Sequence, residues 1–509
     1  MPADRRSCIV RGRDRRAGGR SVGIRTGAQV LDGLRDGRQF YIDGERVADV
    51  TRDRRLAGGA RTLAGLYDMQ HDPALTDTMT YESPTTGDRV GLSFIEPRTL
   101  DDLRLRRAMV KRWHDHTLGM FGRAPDFLNV MVSSFASAAD AFGPERAGNV
   151  RAFYERLREG DLVATHSLTD PQVDRSRNIA AQAKDLAVKA VRETDAGIVV
   201  RGAKMLATLA AYSDEILVMP APSYPLPATD EARPYALGFA IPVGHPGVKM
   251  LARPTVMHLD AGSPLDYPLS SRFDEIDCMV IFDDVLVPWE RLFVYRDVET
   301  YNAIYRRTQA ATAMAHQYST KDLAKAEFMM ALAFALVRMT KIDEYQHIQG
   351  MLAELINSVE MLRSCIVASE AEATMTPHGI MMPASGPLDA VRFQFPIMFR
   401  RACEIIQNMG AGGLFMVPSA AELDGPLAAD VATYLQAAGA DARERIRLFR
   451  LAYDATLSSF SGRQQLYERY FAGDPVRVAA ILYRNYDRVP HLARIEALLD
   501  RFDREAGGG

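Results

Sequence analysis

The sequence predicts a mostly α-helical protein with a β domain in its middle. Apolar residues recur at helical spacing through 28–160 and again after about 298. Between them, 161–297 breaks into short, branched-rich runs cut by Gly and Pro. The 509 residues, 47% hydrophobic and 25% charged, suffice for two or three domains with a large core.

Taken in order, the chain opens on an arm, 1–27, whose first 25 residues carry eight Arg and no apolar stretch, so a disordered basic arm is expected there rather than a secretory signal. Residues 28–160 follow as a helical domain: "DDLRLRRAMVKRWHDHTLGMF" and "VRAFYERLREGDLVA" mix apolar and charged residues at helical spacing. Next, "GIVVRGAKM", "EILVMP", "YALGFAIP" and "CMVIFDDVLVP" read as strands of an antiparallel or barrel-like domain, 161–297. The remainder, 298–509, is a helical bundle. Ile348, Leu352, Leu355, Val359, Leu362 and Ile366 form a narrow helical stripe, and 328–337, apolar all round, predicts a central buried helix. "TPHGIMMPASGP" (376–387) reads as a loop, and the glycines at 410, 412 and 413 as the cap of a helix.

Several function classes are excluded. A net charge of −3 gives no pull towards nucleic acid or anionic membrane. No apolar run approaches the roughly 18 residues that a membrane span needs. Cys8, Cys278, Cys365 and Cys403 are far apart with no CxxC, which supports neither a disulfide framework nor a metal site and fits a reducing cytoplasm. No dinucleotide fingerprint, P-loop, zinc-protease helix or nucleophile elbow is present.

What remains is a polar seam, "THSLTDPQVDRSR" (165–177), between the first helices and the first strands. Taken alone it fits an ordinary capped helix-to-strand turn with an Asp–Arg pair. In company with "LDGLRDGRQFYIDGERVADVT", "LYDMQHDP", "GRAPDFLNVM", "GIVVRGAKMLAT", "SSRFDEIDCMVIFDDVLVPWERLFVY" and "LYERYFAGDP", in that order along 28–500, it resembles the oxygenase components of two-component, flavin-dependent 4-hydroxyphenylacetate 3-monooxygenases, a family that includes chlorophenol monooxygenases.

The resemblance implies an acyl-CoA dehydrogenase-like fold, a homotetramer, and reduced FAD as a diffusible co-substrate from a separate NAD(P)H:flavin reductase. Its reaction is hydroxylation of a phenol (4-hydroxyphenylacetate-, tyrosine- or halophenol-like) ortho to the hydroxyl, through a C4a-hydroperoxyflavin formed with O₂. By the same resemblance His166, Ser167, Leu168, Gln172, Val173, Asp174, Arg175, Thr208, Ala472, Gly473, Asp474 and Pro475 contact the flavin. Arg123, Phe127, His166, Ala221 and Pro222 line the substrate. The family's Tyr is Phe127 here, and neither Ala221 nor Pro222 carries a hydroxyl, so a less polar pocket and a larger, tethered or halogenated phenol are expected; Phe127 also fits a plain core aromatic. His316 matches a family base on the phenol hydroxyl, with Asp283 (or neighbouring Asp284) to orient it and Arg463 to stabilise phenolate; a buried structural His is the alternative. His71, His114, His116, His258 and His347 are assigned to surface or loops. Two other functions are weighed. A 4-hydroxybutyryl-CoA dehydratase-like enzyme needs clustered cysteines that this chain lacks. A non-catalytic paralogue would bind flavin or an aromatic without turnover.

Overall fold

The structure, a computed structural model, describes residues 23–182, 186–222, 224–260 and 262–507. Six helices build the first part: α1 (Gly27–Gly33), α2 (Ala57–Asp68), α3 (Thr76–Met79), α4 (Leu100–His116), α5 (Asp126–Ser137) and α6 (Ala147–Glu159). Four short strands interleave with them: β1 (Gln39–Ile42), β2 (Glu45–Val47), β3 (Thr80–Glu82) and β4 (Arg89–Gly91). Thr26 caps α1 and Thr99 caps α4, each through a reciprocal capping box, which fixes where these helices start.

The middle part holds β5 (Ala164–Ser167), β6 (Lys189–Thr194), β7 (Gly197–Thr208), β8 (Glu215–Val218), β9 (Leu237–Pro242), β10 (Val248–Ala252), the single turn α7 (Ser270–Phe273), β11 (Asp277–Pro288) and β12 (Leu292–Tyr295). They form two open sheets, ordered β2-β1-β10-β11-β7-β6 and β12-β9-β8-β5. The barrel-like expectation is therefore corrected: no sheet closes among the described residues. Nor is the pairing all antiparallel, because β1 runs parallel to β10 and β5 to β8. The faces pack together, with Phe239 of β9 edge-on to Phe282 of β11 at 5.7 Å.

The last part runs α8 (Val298–Arg307), α9 (Ala310–Thr340), α10 (Gln346–Ala371), the hairpin β13 (Thr374–Met375) and β14 (Met381–Met382), α11 (Ser385–Met416), α12 (Ala428–Tyr434), α13 (Ala442–Thr456), α14 (Ser459–Tyr470), α15 (Pro475–Asn485) and α16 (Val489–Gly507). The stripe on α10 is buried except Leu352, which is half-buried. Helix α9 is central over its first half, but Phe334 is exposed, so the run 328–337 is buried on one face rather than all round. The expected loop at 376–387 contains the β14 strand and the start of α11. The glycines near 410 mark a kink at Ala411 (φ 44°), after which the helix resumes to Met416. This helical–β–helical order is the acyl-CoA dehydrogenase-like arrangement.

Most of the expected basic arm, residues 1–22, lies outside the described residues. Arg25, counted with it, is no loose cation: it is buried, donating Nε to the Asp161 carbonyl at 2.8 Å and pairing with Asp214 at 2.8 Å. Its charge ties the N-terminal segment to the entry of the middle domain. Replacing one partner of a buried pair leaves the other uncompensated, so Arg25→Ala is expected to lose about 3–5 kcal/mol in urea unfolding; a loss below about 1 kcal/mol would show that the tie carries little.

Candidate active site

The turn before α5 is pressed against the bundle. A Cβ at Gly119 (φ 64°) would lie 2.6 Å from the Lys325 Cβ, and one at Gly122 would lie 2.7 Å from the Tyr467 ring. Only glycine allows this approach. It delivers Arg123 to the meeting point of α5, α9, α14 and β5. The Arg123 backbone N–H donates to Glu275 Oε1. Its guanidinium is buried, with its carbon 4.0 Å from the centre of the Phe127 ring and 5.4 Å from that of Phe471. Nη2 reaches the Phe471 carbonyl at 3.4 Å, and Nη1 has no partner.

His166, on β5, lies across the Phe127 ring at 5.5 Å between centroids. Burial, and then the Arg123 charge, push its pKa well below the ordinary value, so the ring is neutral, and its Nδ1 has no partner. Tyr467 stacks on Phe471 (4.9 Å, 5°) and its buried hydroxyl is also unpartnered. Three buried polar atoms on three elements thus lack hydrogen-bond partners among the described residues, around two aromatic rings. Each such atom costs about 1–3 kcal/mol, which a ligand oxygen would recover.

Carboxylates hold this arrangement from behind. Glu275, fully buried, accepts from Arg463 Nη1 at 2.8 Å through its second oxygen. Arg463 also pairs with Asp277 at 2.9 Å, and Arg253 bridges Asp277 (2.8 Å) and Asp274 (2.6 Å). Burial alone would raise the Asp277 carboxyl, but Arg463 and Arg253 outweigh it and hold it far below the usual carboxylate range.

The polar seam is pinned at its midpoint by Lys204 of β7, buried, which donates to the Leu168 carbonyl (3.0 Å) and pairs with Asp170 (2.7 Å). Beyond it, Asp174 accepts from the Ser176 backbone and hydroxyl and so shapes the turn. Gln172 is half-buried, while Val173 and Arg175 are exposed, and the Arg175 guanidinium has no carboxylate partner among the described residues. The Ser167 hydroxyl donates to the Leu206 carbonyl, which leaves its oxygen to accept from a ligand but not to donate; the Thr208 hydroxyl donates to Asp277 at 2.7 Å. On the far side, Arg392 donates to the Ala472 carbonyl, Gly473 takes φ 123°, and Asp474 caps α15 ahead of Pro475. Ala221 is buried and Pro222 exposed, at the end of β8.

Three expected roles are corrected. His316 does not face this site: its Nε2 lies 2.9 Å from Glu370, which also takes Arg107 Nε at 2.6 Å. Its neighbours Ala315 and Tyr318 border the Phe127 cluster. At about 100° per residue, His316 points about 160° away from Tyr318, towards α10. Asp283 cannot orient it, because a register shift between Phe282 and Val285 turns Asp283 and Asp284 outward, where they pair with Lys249 and Arg201. Arg463 has each of its nitrogens donating to Glu275 or Asp277, so it supports Arg123 through Glu275 rather than meeting a phenolate. His114, assigned to the surface, is fully buried against Asp126 at 3.1 Å. Glu275, Asp277, Tyr467, Phe471 and Lys204 were missed. The available signal was Arg463 itself, a bundle arginine that needs carboxylates if buried, with the acidic run 274–277 unassigned.

The 4-hydroxyphenylacetate 3-hydroxylase N-terminal family pattern matches residues 26–294, and the C-terminal one matches 301–500. The chain is 44% identical over 477 residues to a 4-hydroxyphenylacetate 3-monooxygenase oxygenase component of Thermus thermophilus, covering 93% of this chain and 97% of the relative. It is 37% identical to a probable 4-hydroxyphenylacetate 3-monooxygenase of Bacillus subtilis, covering 94% and 99%. A crystal structure of the oxygenase component of 4-hydroxyphenylacetate 3-monooxygenase with FAD and 4-hydroxyphenylacetate superimposes with a TM-score of 0.89 at 42% identity, covering 94% of this chain and 99% of the other.

Burial lowers the pKa of both His166 and His316. The unfolded chain therefore takes up protons first as pH falls. Stability is full above the ordinary histidine value of 6.5 and declines as pH drops below it, down to the folded values. In urea titrations at stepped pH, His166→Asn is expected to flatten part of that decline. An unchanged slope would mean that the ring is not held neutral.

Proposed function

Because this chain belongs to the 4-hydroxyphenylacetate 3-hydroxylase family, we propose that it is the oxygenase component of a two-component monooxygenase, one that uses reduced FAD and O₂ to hydroxylate a phenol ortho to its hydroxyl. The carrying observation is Arg123: a buried guanidinium with no carboxylate partner among the described residues, flanked by Phe127 and Phe471 and facing the neutral His166. Two aromatic faces accept a ring, and the two polar groups accept its oxygen.

The residues present fit FAD. The seam at 166–175 and the turn at 472–475 approach the same cluster, since Leu168 and Ala472 both pack against it. Arg175, exposed and with no carboxylate partner among the described residues, offers a cation for a phosphate. Gly473 lets Arg392 pack onto this turn, since a Cβ there would lie 2.9 Å from the Arg392 guanidinium. When bound, reduced FAD supplies with O₂ the electrophilic oxygen.

The protein's part is placement and protons. Phe127 and Phe471 hold the ring and exclude water. The His166 Nδ1 takes the phenol proton, as a neutral imidazole can. Arg123 Nη1 then holds the phenolate charge, which makes the ortho carbon nucleophilic. With Phe127 in place of a hydroxyl-bearing ring, and Ala221 and Pro222 at the strand end, the pocket favours a phenol whose far end is larger, halogenated or tethered over 4-hydroxyphenylacetate itself. The reductase is a separate protein. Self-association, as a homotetramer, is supported by apolar side chains left exposed: Met361 and Val367 on α10, Phe393 and Ile397 on α11, Leu492 and Phe502 on α16. The dehydratase alternative finds no support in the described cysteines, which stand on separate elements, Cys278 on β11, Cys365 on α10 and Cys403 on α11.

The test is to load the protein anaerobically with reduced FAD and mix it with O₂ and a panel of phenols. An ortho-hydroxylated product is expected, and oxygen use no faster than that of free reduced FAD would favour a non-catalytic binder. Arg123→Met is expected to lower kcat/KM about 10²–10³-fold, and His166→Ala about 10²–10⁴-fold. His316→Gln is expected to keep the parent ratio of product to hydrogen peroxide while lowering the melting temperature. Loss of that ratio would return the base role to His316.

A further inference from the structure

Behind Tyr467 and Phe471 lies a second layer of charge. Lys321 and Lys325, one turn apart on α9, are both fully buried. One carboxylate serves both: Glu468 of α14 lies 2.7 Å from Lys321 Nζ and is also bonded by Lys325 Nζ. Lys325 takes a neutral partner besides, Gln464 Oε1 at 2.8 Å. Asp322 lies 2.5 Å from Lys321. The Lys321 ammonium sits 4.3 Å from the centre of the Phe471 ring, and Arg123 lies 5.4 Å from the same ring. Lys321 and Lys325 also approach Tyr467, at 5.6 and 5.9 Å. One aromatic pair therefore has the substrate-facing arginine and two buried ammonium groups around it.

Burying two ammonium groups is costly where apolar side chains of similar volume would pack, so their retention asks for a role. We propose that Lys321 and Lys325, sharing Glu468, are positioning residues that add buried positive potential behind the Tyr467–Phe471 wall and so favour the ionised form of the phenol held at Arg123. This rests on the reading of Arg123, Phe127 and His166 as the phenol site. The charged and titratable groups facing this spot among the described residues are Tyr318, Lys321, Asp322 and Lys325 from α9, Arg463, Tyr467 and Glu468 from α14, Glu275 and Asp277 from the α7–β11 junction, Arg123 from the turn before α5, His166 from β5, and Asp389, Arg392 and Cys403 from α11. Burial pushes the Asp322 carboxyl up, which weakens it as a counter-charge to Lys321. Burial pushes Lys325 down to about 8, where it is still mostly protonated.

The test reads the ionisation of a bound chromogenic phenol, 4-nitrophenol, by its phenolate absorbance across pH, with the full chain and no reduced flavin present. The parent is expected to lower the probe's midpoint below its free value. Lys321→Met is expected to raise the bound midpoint by about one pKa unit, the size expected of a charge removed from just behind a ring. Lys321→Arg should restore it, and so should the double variant Lys321→Met/Glu468→Gln, which removes one charge of each sign. A folded Lys321→Met that binds the probe with the parent's midpoint overturns the proposal. If Lys321→Met does not fold, Lys325→Met carries the same expectation and the same overturning result. Failure of the parent to bind the probe, with Arg123→Met indistinguishable from it, would instead overturn the site reading beneath both.

Discussion

The site depends on the Arg123 guanidinium, which is buried and, among the described residues, left without a carboxylate of its own. Water does not neutralise it, and the protein answers its charge indirectly. Glu275 holds the Arg123 backbone and spends its other oxygen on Arg463. Two aromatic rings take the guanidinium face. Such an arrangement is unstable in isolation and is held by over-determination. Gly122 allows the turn to seat on Tyr467, Tyr467 stacks on Phe471, and Arg463 is fixed by two carboxylates from the α7–β11 junction. The charge is available to a ligand because each nearby carboxylate is already engaged.

Helix α9 explains how one fold keeps this charge apart from its other buried ions. Tyr318, Lys321 and Lys325 share the face turned to α14 and the phenol site. His316 turns to Glu370 and Arg107, and Gln317 joins His114 and Asp126. The His316 ring is tied to Glu370, whereas His114 Nδ1, Asp126 Oδ1 and Gln317 Oε1 keep no hydrogen-bond partner among the described residues. The set around Arg123, His166 and Tyr467 differs in that its open atoms lie beside a cation and a neutral imidazole, which is where chemistry is expected.

The three-part architecture was legible in the sequence because it rests on local periodicity. The α10 stripe and the strands β7, β9 and β11 follow directly from residue spacing. The closure of the middle domain was not legible. Whether strands curl into a barrel or lie in two sheets depends on long-range pairing, here β1 joining β10 from the first part of the chain. At the site, Arg123, Phe127 and His166 could be placed by motif, and the structure does bring them side by side. The partners of His316, Asp283 and Arg463 could not, because helix phase and a strand bulge decide them. Two residues of helical rotation turn His316 to α10, and one irregularity in β11 turns Asp283 to solvent. Glu275 carried no signal of its own, since an acidic residue before a strand is common and its burial follows only from Arg463 across the interface.

The central claim is that Arg123 is held in register for the phenol by a carboxylate that no ligand touches. Glu275→Gln keeps the size and one of the two accepting oxygens but removes the charge and turns the other acceptor into a donor. The most direct measurement is the ratio of hydroxylated phenol to hydrogen peroxide per reduced FAD consumed by this variant, with reduced-FAD affinity measured alongside. The account predicts that affinity for reduced FAD is retained while the ratio shifts towards peroxide. A parent-like ratio would contradict it.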